Sequence, residues 1–268
     1  MINTNQNPYL SVIIPVYNEQ SRITYTLEKL TSFLNEQTFK WQILIINDGS
    51  TDNTENIVEE WMQKDPRILI ESIPHQGKGI AIKTGMLSSS GSYRFMCDAD
   101  LAMPINELSK FLDAAEKNYD IVIGSRQISG SNRIGEPLLR HIMGRVFNIL
   151  TRLLLIPGIH DTQCGFKCFS AKAANQIFHA QKIKGFAFDT EILYLAYQRK
   201  LSICEIPITW HHHSDSKGNI IKDSIMMFKD ILGCFRMLRI FLMFDFVFRM
   251  LCVCSLGLGS RGTGAGHA

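Results

Sequence analysis

Short apolar runs that alternate with stretches of helical periodicity restrict this chain to one broad architecture. Leu10 to Val16 is apolar and β-branched and ends in a turn at Asn18, which predicts a buried strand. Ile23, Leu27, Leu30 and Leu34 then recur at helical spacing. Ile43 to Ile46 form a second run, stopped by Asn47-Asp48-Gly49. Ser50 or Thr51 can cap the next helix, whose Ile57, Val58, Trp61 and Met62 make one face. Ile68 to Ile70, Tyr93 to Cys97 and Ile121 to Ile123 predict further strands, with helices over Gly77 to Leu87 and Leu108 to Ala115. Such alternation predicts an α/β fold: a doubly wound, mostly parallel sheet with helices on both faces. Ligands of such sheets bind beyond the C-terminal ends of the strands. The strand ends here carry Pro15 to Glu19, Asn47 to Gly49, Cys97 to Asp100 and Gly124 to Arg126, so these segments are expected to share one cleft.

The texture changes after Arg126. Ile142 to Ile156 predicts an apolar helix accompanied by Arg140, Arg145 and Arg152. Gly165 to Phe169 and Ile203 to Ile206 suit strands, with a helix over Phe188 to Tyr197 between them. Residues 1–220 are expected to form the main domain. Beyond it, Lys222, Lys229 and Arg236 fall seven apart among apolar residues, the pattern of a helix lying on an anionic membrane surface. That amphipathic, apolar segment is expected over 221–256. Asp245 and Arg249 would each cost about 2.5–3.5 kcal/mol at mid-membrane, so it is expected to lie in the interface rather than to span. A Gly-rich tail at 257–268 is expected to be disordered. The polar start, Met1 to Pro8, leads directly into a strand and carries no signal-peptide pattern. Seven irregularly spaced cysteines fit neither a zinc site nor a disulfide framework, and read as free thiols. A formal net charge of +3 is too small to argue for nucleic acid.

Asp98 and Asp100 are the residues with most chemical content. Two apart in extended chain, they face the same side. Carboxylates aimed at one point repel unless a positive charge lies between them, and a hard divalent cation shared with substrate phosphates supplies one. The other reading is a solvated pair capping the helix that starts near Pro104. Asp48 can accept hydrogen bonds from a base or ribose, or simply close a turn. Gly77-Lys78-Gly79 opens a helix in the manner of a phosphate site, but lacks P-loop spacing. Arg126 and Arg140 suit bidentate phosphate binding or the surface. His211 to His213 read as a loop, because adjacent side chains in a strand alternate faces.

The order of these pieces is more specific than any one of them. Pro15-x-Tyr17-Asn18-Glu19, Asp48-Gly49-Ser50-x-Asp52, Gly77-Lys78-Gly79-x-Ala81, Asp98-Ala99-Asp100 and Gly124-Ser125-Arg126 together resemble family 2 glycosyltransferases of the GT-A fold. Asp161 to Lys167, Phe188-Asp189-x-Glu191, and Trp210 before Ser216-Lys217 are similar to the dolichyl-phosphate β-glucosyltransferases and their bacterial polyprenyl-phosphate relatives. The resemblance spans roughly Leu10 to Arg239. It implies that Pro15, Tyr17, Glu19 and Asp48 hold the nucleotide, with Lys78 nearby. It implies that Asp98 contacts the ribose and diphosphate region and that Asp100 ligates Mg2+ or Mn2+. Arg126 and Arg140 would clamp a lipid acceptor phosphate, Lys217 the donor diphosphate, and Gln163, Asp189 and Glu191 would line the sugar or acceptor pocket. Two departures stand out. Ala102 replaces a glutamine that mannosyl-type relatives use as a further metal ligand, and Asp215-Ser216-Lys217 replaces Gly-Ser-Lys.

The implied reaction is inverting transfer of a hexose, glucose from UDP-glucose, to a polyprenyl or dolichyl phosphate at the cytoplasmic face of a membrane. Asp161 is a candidate helper base on which nothing in that reaction depends. Three other readings are a family 2 enzyme with a glycan acceptor, a metal-dependent nucleotidyltransferase that releases pyrophosphate, and a catalytically dead membrane scaffold.

Overall fold

In a computed structural model, the described residues are 7–185 and 187–212. The segments expected at 221–256 and 257–268, together with His213 and Lys217, lie outside the described residues. Among the described residues, nine strands run in chain order: β1 (Leu10–Val16), β2 (Trp41–Asn47), β3 (Ile68–Ser72), β4 (Tyr93–Met96), β5 (Ile121–Ser125), β6 (Asn132–Ile134), β7 (Lys167–Ser170), β8 (Ile203–Pro207) and β9 (Thr209–His211). The helices are α1 (Ile23–Asn35), α2 (Thr54–Lys64), α3 (Lys78–Ser88), α4 (Leu108–Ala115), α5 (Leu138–Leu154), α6 (Ala171–Ala180) and α7 (Phe188–Gln198). A short 3-10 turn over Ile105–Glu107 precedes α4.

Seven strands form one sheet in the order β3-β2-β1-β4-β7-β5-β8. All pairings are parallel except those of β7, which runs against both β4 and β5. From β1 the chain first moves outward to β2 and β3 and then returns to place β4 on the other side of β1. This reversal is the switch point at which α/β sheets open a ligand crevice. Within the described residues, the expected strands and helices are present. Three elements differ from the sequence-based expectation: Thr209–His211 is a strand rather than part of a loop, its partner Asn132–Ile134 is a strand where none was expected, and Ala171–Ala180 is a helix where none was expected.

The sheet interior is mainly apolar. Val12, Ile14, Ile43, Ile45 and Phe95 have no exposure, and Ile23, Leu27, Leu30 and Leu34 of α1 cover one face at the predicted spacing. Burial of such side chains contributes roughly 1.5–3 kcal/mol each. On the opposite face Gly85 of α3 allows close approach: a Cβ there would come within 2.4 Å of Ile13 and 2.9 Å of Ile46. Packing from both sides fixes the strand ends as a rigid edge, and the polar turns project from that edge.

Candidate active site

The loops after β1 and β2 brace each other. Asn18 takes a left-handed conformation (φ 57°), and its Oδ1 accepts from the Thr51 and Asp52 amides at 2.7 and 3.3 Å. The Asn18 amide donates to Ser50 Oγ, and the Glu19 amide to Thr54 Oγ1. Glu19 also pairs with Arg22 at 2.8 Å. Asp48, at the end of β2, is buried. Its two oxygens accept from the Gln76 and Gly77 amides at 2.8 and 2.9 Å, which fixes the turn into α3. His75 Nδ1 lies 2.9 Å from Asp48 Oδ2, and the His75 ring stacks on Tyr17 with centroids 4.2 Å apart and planes 22° apart. Tyr17 and His75 therefore form a half-exposed aromatic shelf with a carboxylate at one end. Pro15 sits partly buried one residue before the end of β1.

Asp98 follows β4, the strand beside β1, and Lys78 opens α3. Their side chains meet at 2.6 Å. Burial alone would lower the Lys78 pKa, but Asp98, Asp189 and Asp100 offset this and hold its ammonium above the ordinary range. Asp100 lies in a tight turn: its Oδ1 accepts from the Ala102 amide at 3.0 Å, and Leu101 adopts φ 45°. That bond closes the Asp98–Ala102 turn itself and lies outside the first turn of α4, so it is not the helix cap that the sequence also allowed. The His211 amide donates to the Ala102 carbonyl at 2.7 Å, so β9 buttresses the same turn.

Because β7 is antiparallel, the loop leading into it arrives at the same sheet edge. Lys167 pairs in register with Met96 of β4 and Ile123 of β5. Gly165 then packs directly on Asp98: a Cβ there would stand 2.2 Å from Asp98 Oδ2. Lys167 is fully buried and pairs with Asp189 at 2.5 Å, and its Nζ also donates to the Cys164 carbonyl. Burial raises the Asp189 pKa, and Lys167 and Lys78 only partly offset that. Glu191 accepts from the Lys182 and Ile183 amides at 2.9 and 2.7 Å, and this loop meets Gly77 and Gly79 at the start of α3. Gln163 donates to Thr190 Oγ1 at 3.0 Å.

Arg126, just past β5, makes a bidentate pair with fully buried Asp161: Nε to Oδ2 at 2.8 Å and NH2 to Oδ1 at 3.0 Å. The Arg126 amide also donates to Oδ2. Burial would raise the Asp161 carboxyl, but the charge and hydrogen bonds of Arg126 hold it down to about 2. A carboxylate held there is a poor base, which leaves Asp161 as an anchor for the arginine. The Arg126 guanidinium also lies over the Trp210 ring, 5.5 Å from its centroid. Arg140 belongs to α5, and its side chain lies outside the described residues.

The edge thus gathers Pro15, Tyr17, Glu19, Asp48, Lys78, Asp98 and Asp100 on the β1–β2–β4 side, and Arg126, Gln163 and Asp189 around the loop into β7. Sequence reading gave no role to His75, Gly165 or Lys167, although the last two fall within the Asp161 to Lys167 run. The signal for Lys167 was a lone lysine at the head of an apolar run. For His75 and Gly165, only the fold brings their partners near. Among the described residues, no group of three His, Cys, Asp or Glu side chains converges as a metal cage. The turn after β4 offers two carboxylates, Asp98 and Asp100, a set that fits a hard cation only when substrate oxygens complete it. Among the described residues, Cys97, Cys164, Cys168 and Cys204 are free thiols.

A doubly wound sheet with one reversed strand, and a carboxylate–lysine edge at its switch point, defines an α/β fold of the GT-A type. A model of glycosyl transferase family 2 matches residues 11–178. A dolichyl-phosphate beta-glucosyltransferase of Dictyostelium discoideum is 39% identical over 246 residues, covering 85% of this chain and 75% of that protein. Proteins of the same description from Saccharomyces cerevisiae and Homo sapiens are 35% and 32% identical, covering 84% and 83% of this chain and 73% and 74% of theirs. The chain belongs to glycosyl transferase family 2. In fold it is similar to glucosyl-3-phosphoglycerate synthase of Mycobacterium tuberculosis, solved with Mn2+, uridine diphosphate and glucosyl-3-phosphoglycerate. That likeness has a TM-score of 0.62 at 15% identity, over 84% of this chain and 79% of that one. The same synthase has also been solved with Mg2+ and uridine diphosphate.

Proposed function

We propose that this chain transfers glucose from UDP-glucose to the phosphate of a dolichyl or polyprenyl lipid, with inversion at the anomeric carbon. What carries the reading is the agreement between the site and the relatives' description. A carboxylate–lysine edge suited to a nucleoside diphosphate sits beside an anchored arginine suited to a second phosphate, in a chain 39% identical to a dolichyl-phosphate beta-glucosyltransferase.

Tyr17 and Asp48 hold the nucleoside, with Pro15 and Glu19 shaping the loop around it. Lys78 and Asp98 face the diphosphate, and Lys217 adds charge to it. Asp100, with Asp98 beside it, holds Mg2+ or Mn2+. When bound, that cation offsets the charge that develops on the leaving diphosphate. Asp161 fixes the plane of Arg126, so Arg126 and Arg140 orient the acceptor phosphate and offset its repulsion from the donor. An acceptor oxygen attacks C1 as the bond from C1 to UDP breaks, and UDP leaves with the electron pair. The acceptor is already an anion, so no side chain has to act as a strong base. Gln163, Asp189 and Glu191 stand behind the sugar, and the buried Lys167–Asp189 pair keeps Gly165 against Asp98. The site works at the cytoplasmic face of a membrane, with residues 1–220 forming the catalytic domain and 221–256 an interfacial helix. Among the described residues, no helix is long and apolar enough to cross a membrane.

The test is a panel of nucleotide sugars against dolichyl phosphate, polyprenyl phosphate and glycan acceptors, read as UDP release and as labelled lipid. The expected result is lipid-phosphate-dependent release from UDP-glucose. Release that depends only on a glycan would favour the polysaccharide reading instead.

A further inference from the structure

Asp161 can hold Arg126 in one plane only if Asp161 is itself held, and the chain that carries it has no regular structure. Residues 155–166 run from the end of α5 to β7 as turns, bends and irregular backbone. Four successive amides in this loop donate to side chains. The His160 amide donates to Glu205 Oε2 and the Asp161 amide to Glu205 Oε1, both at 2.9 Å. The Thr162 amide donates to Asn148 Oδ1 of α5 at 3.1 Å, and the Gln163 amide to Asp161 Oδ1 at 3.2 Å. Asn148 Nδ2 also reaches Asp161 Oδ1 at 3.4 Å. Of these three accepting side chains, Glu205 alone stands in the sheet. Its strand β8 is parallel to β5, with Glu205 opposite Ile123 and Pro207 opposite Ser125, the residue before Arg126. The strand that carries Arg126 at its end and the strand that grips the anchor of Arg126 are therefore hydrogen-bonded neighbours. The Glu205 side chain is 9% exposed, and His160 Nδ1 lies 2.8 Å from its Oε2 on the solvent side. Bonds from backbone amides to a carboxylate are charge-assisted and roughly twice as strong as neutral ones.

We propose that Glu205 is a positioning residue for the acceptor phosphate. Its carboxylate spans the amides of residues 160 and 161 and so places the Asp161 carboxylate. Asp161 in turn sets the plane of the Arg126 guanidinium. This rests on the reading that Arg126 receives the acceptor phosphate. Glu205 acts through two other residues, so its effect falls on alignment: a misplacement of about 1 Å at a reacting group can cost roughly a hundredfold in rate. The donor cluster of Lys78, Asp98 and Asp100 is held by other contacts, so donor binding does not depend on Glu205.

The experiment compares the full wild-type chain with Glu205→Gln, which keeps the shape of the side chain but sets an NH2 group against one of the two amides. The first readout is the Arg126 Nε–H resonance, assigned by its loss in Arg126→Lys. In Glu205→Gln this proton is expected to exchange with solvent at least about tenfold faster than in the wild type. The second readout is kinetic. The KM for a short-chain polyprenyl phosphate in detergent is expected to rise at least about tenfold, with the KM for UDP-glucose unchanged. In an Arg126→Lys background, Glu205→Gln is expected to add no further rise, because the route through Arg126 is already cut. An unaltered Nε–H exchange rate, an acceptor KM that does not move, an equal rise in both KM values, or additive losses in the double variant each overturn the proposal. A role in stability alone would lower the melting temperature and leave the acceptor KM where it was. Should Glu205→Gln fail to fold, Glu205→Asp keeps the charge, withdraws it by one methylene and is read in the same way. Absence of transfer to polyprenyl phosphate by the wild type refutes the lipid-phosphate acceptor, while the Arg126 resonance still decides the role of Glu205.

Discussion

Asp98 and Asp100 enter the sequence as an equivalent pair and leave the structure as different groups. Asp98 is held by Lys78 on one side and by the Gly165 backbone on the other, whereas Asp100 turns one oxygen to its own loop at Ala102. Asp100→Ala is expected to cut turnover by at least about a hundredfold while the fold persists, measured as UDP release beside a circular dichroism melt. Tyr17 and His75 supply a second expectation. Truncating either ring to alanine removes one half of the stack, so UDP binding should weaken by about 0.5–1.5 kcal/mol by calorimetry, with the KM for the lipid acceptor unmoved. The Arg126–Asp161 pair has its own pH signature. Asp161 is depressed in the folded chain, so its contribution is full above its ordinary value of 3.8 and disappears as pH falls toward about 2. Asp161→Asn should therefore cost about 3–5 kcal/mol in urea unfolding at neutral pH, because it leaves Arg126 buried and unpaired. The difference from wild type should shrink below pH 3.8 and vanish near 2.

The elements show which parts of the fold could be read ahead of the structure. β1 to β5 and the helices between them were legible because each strand is a closed apolar run and each helix repeats at its own period. β7 was legible as a strand but not in direction: nothing in Lys167–Ser170 signals that it runs against its neighbours. Its direction matters, because it brings the 161–166 loop to Asp98. Helix α6 has an N-cap, Ser170 accepting from the Ala173 amide, and buried Ile177 and Phe178, so its signal was present but short. The three-residue β6 and β9 have no periodicity to read. The sequence also marked α5 as apolar without revealing which way its apolar face points. Three variants probe the loop into β7 and the head of that strand. Gly165→Ala forces a Cβ against Asp98 and should lower kcat by an order of magnitude or more, with little change in melting temperature. Lys167→Met should destabilise the fold by about 3–5 kcal/mol, and Lys167→Met/Asp189→Leu should recover much of that, since an apolar pair can replace a buried ion pair.

At the scale of the molecule, the sheet's switch point and its one reversed strand bring two charged clusters to a single edge. One is Lys78 with Asp98 and Asp100, and the other is Arg126 anchored by Asp161. Motif order made both clusters legible, while the couplings between them through Gly165, Lys167 and Asn148 arise from the fold alone. The account's central claim is that these clusters join a donor diphosphate to an acceptor phosphate. The most direct measurement is the transfer of radiolabelled glucose from UDP-glucose to dolichyl phosphate by the purified full chain, with Asp100→Ala and Arg126→Ala in parallel. The account predicts a labelled lipid that releases glucose in mild acid, one UDP formed per glucose transferred, and no product from Asp100→Ala. Equal UDP release with and without the lipid phosphate, or undiminished transfer by Asp100→Ala, would contradict it.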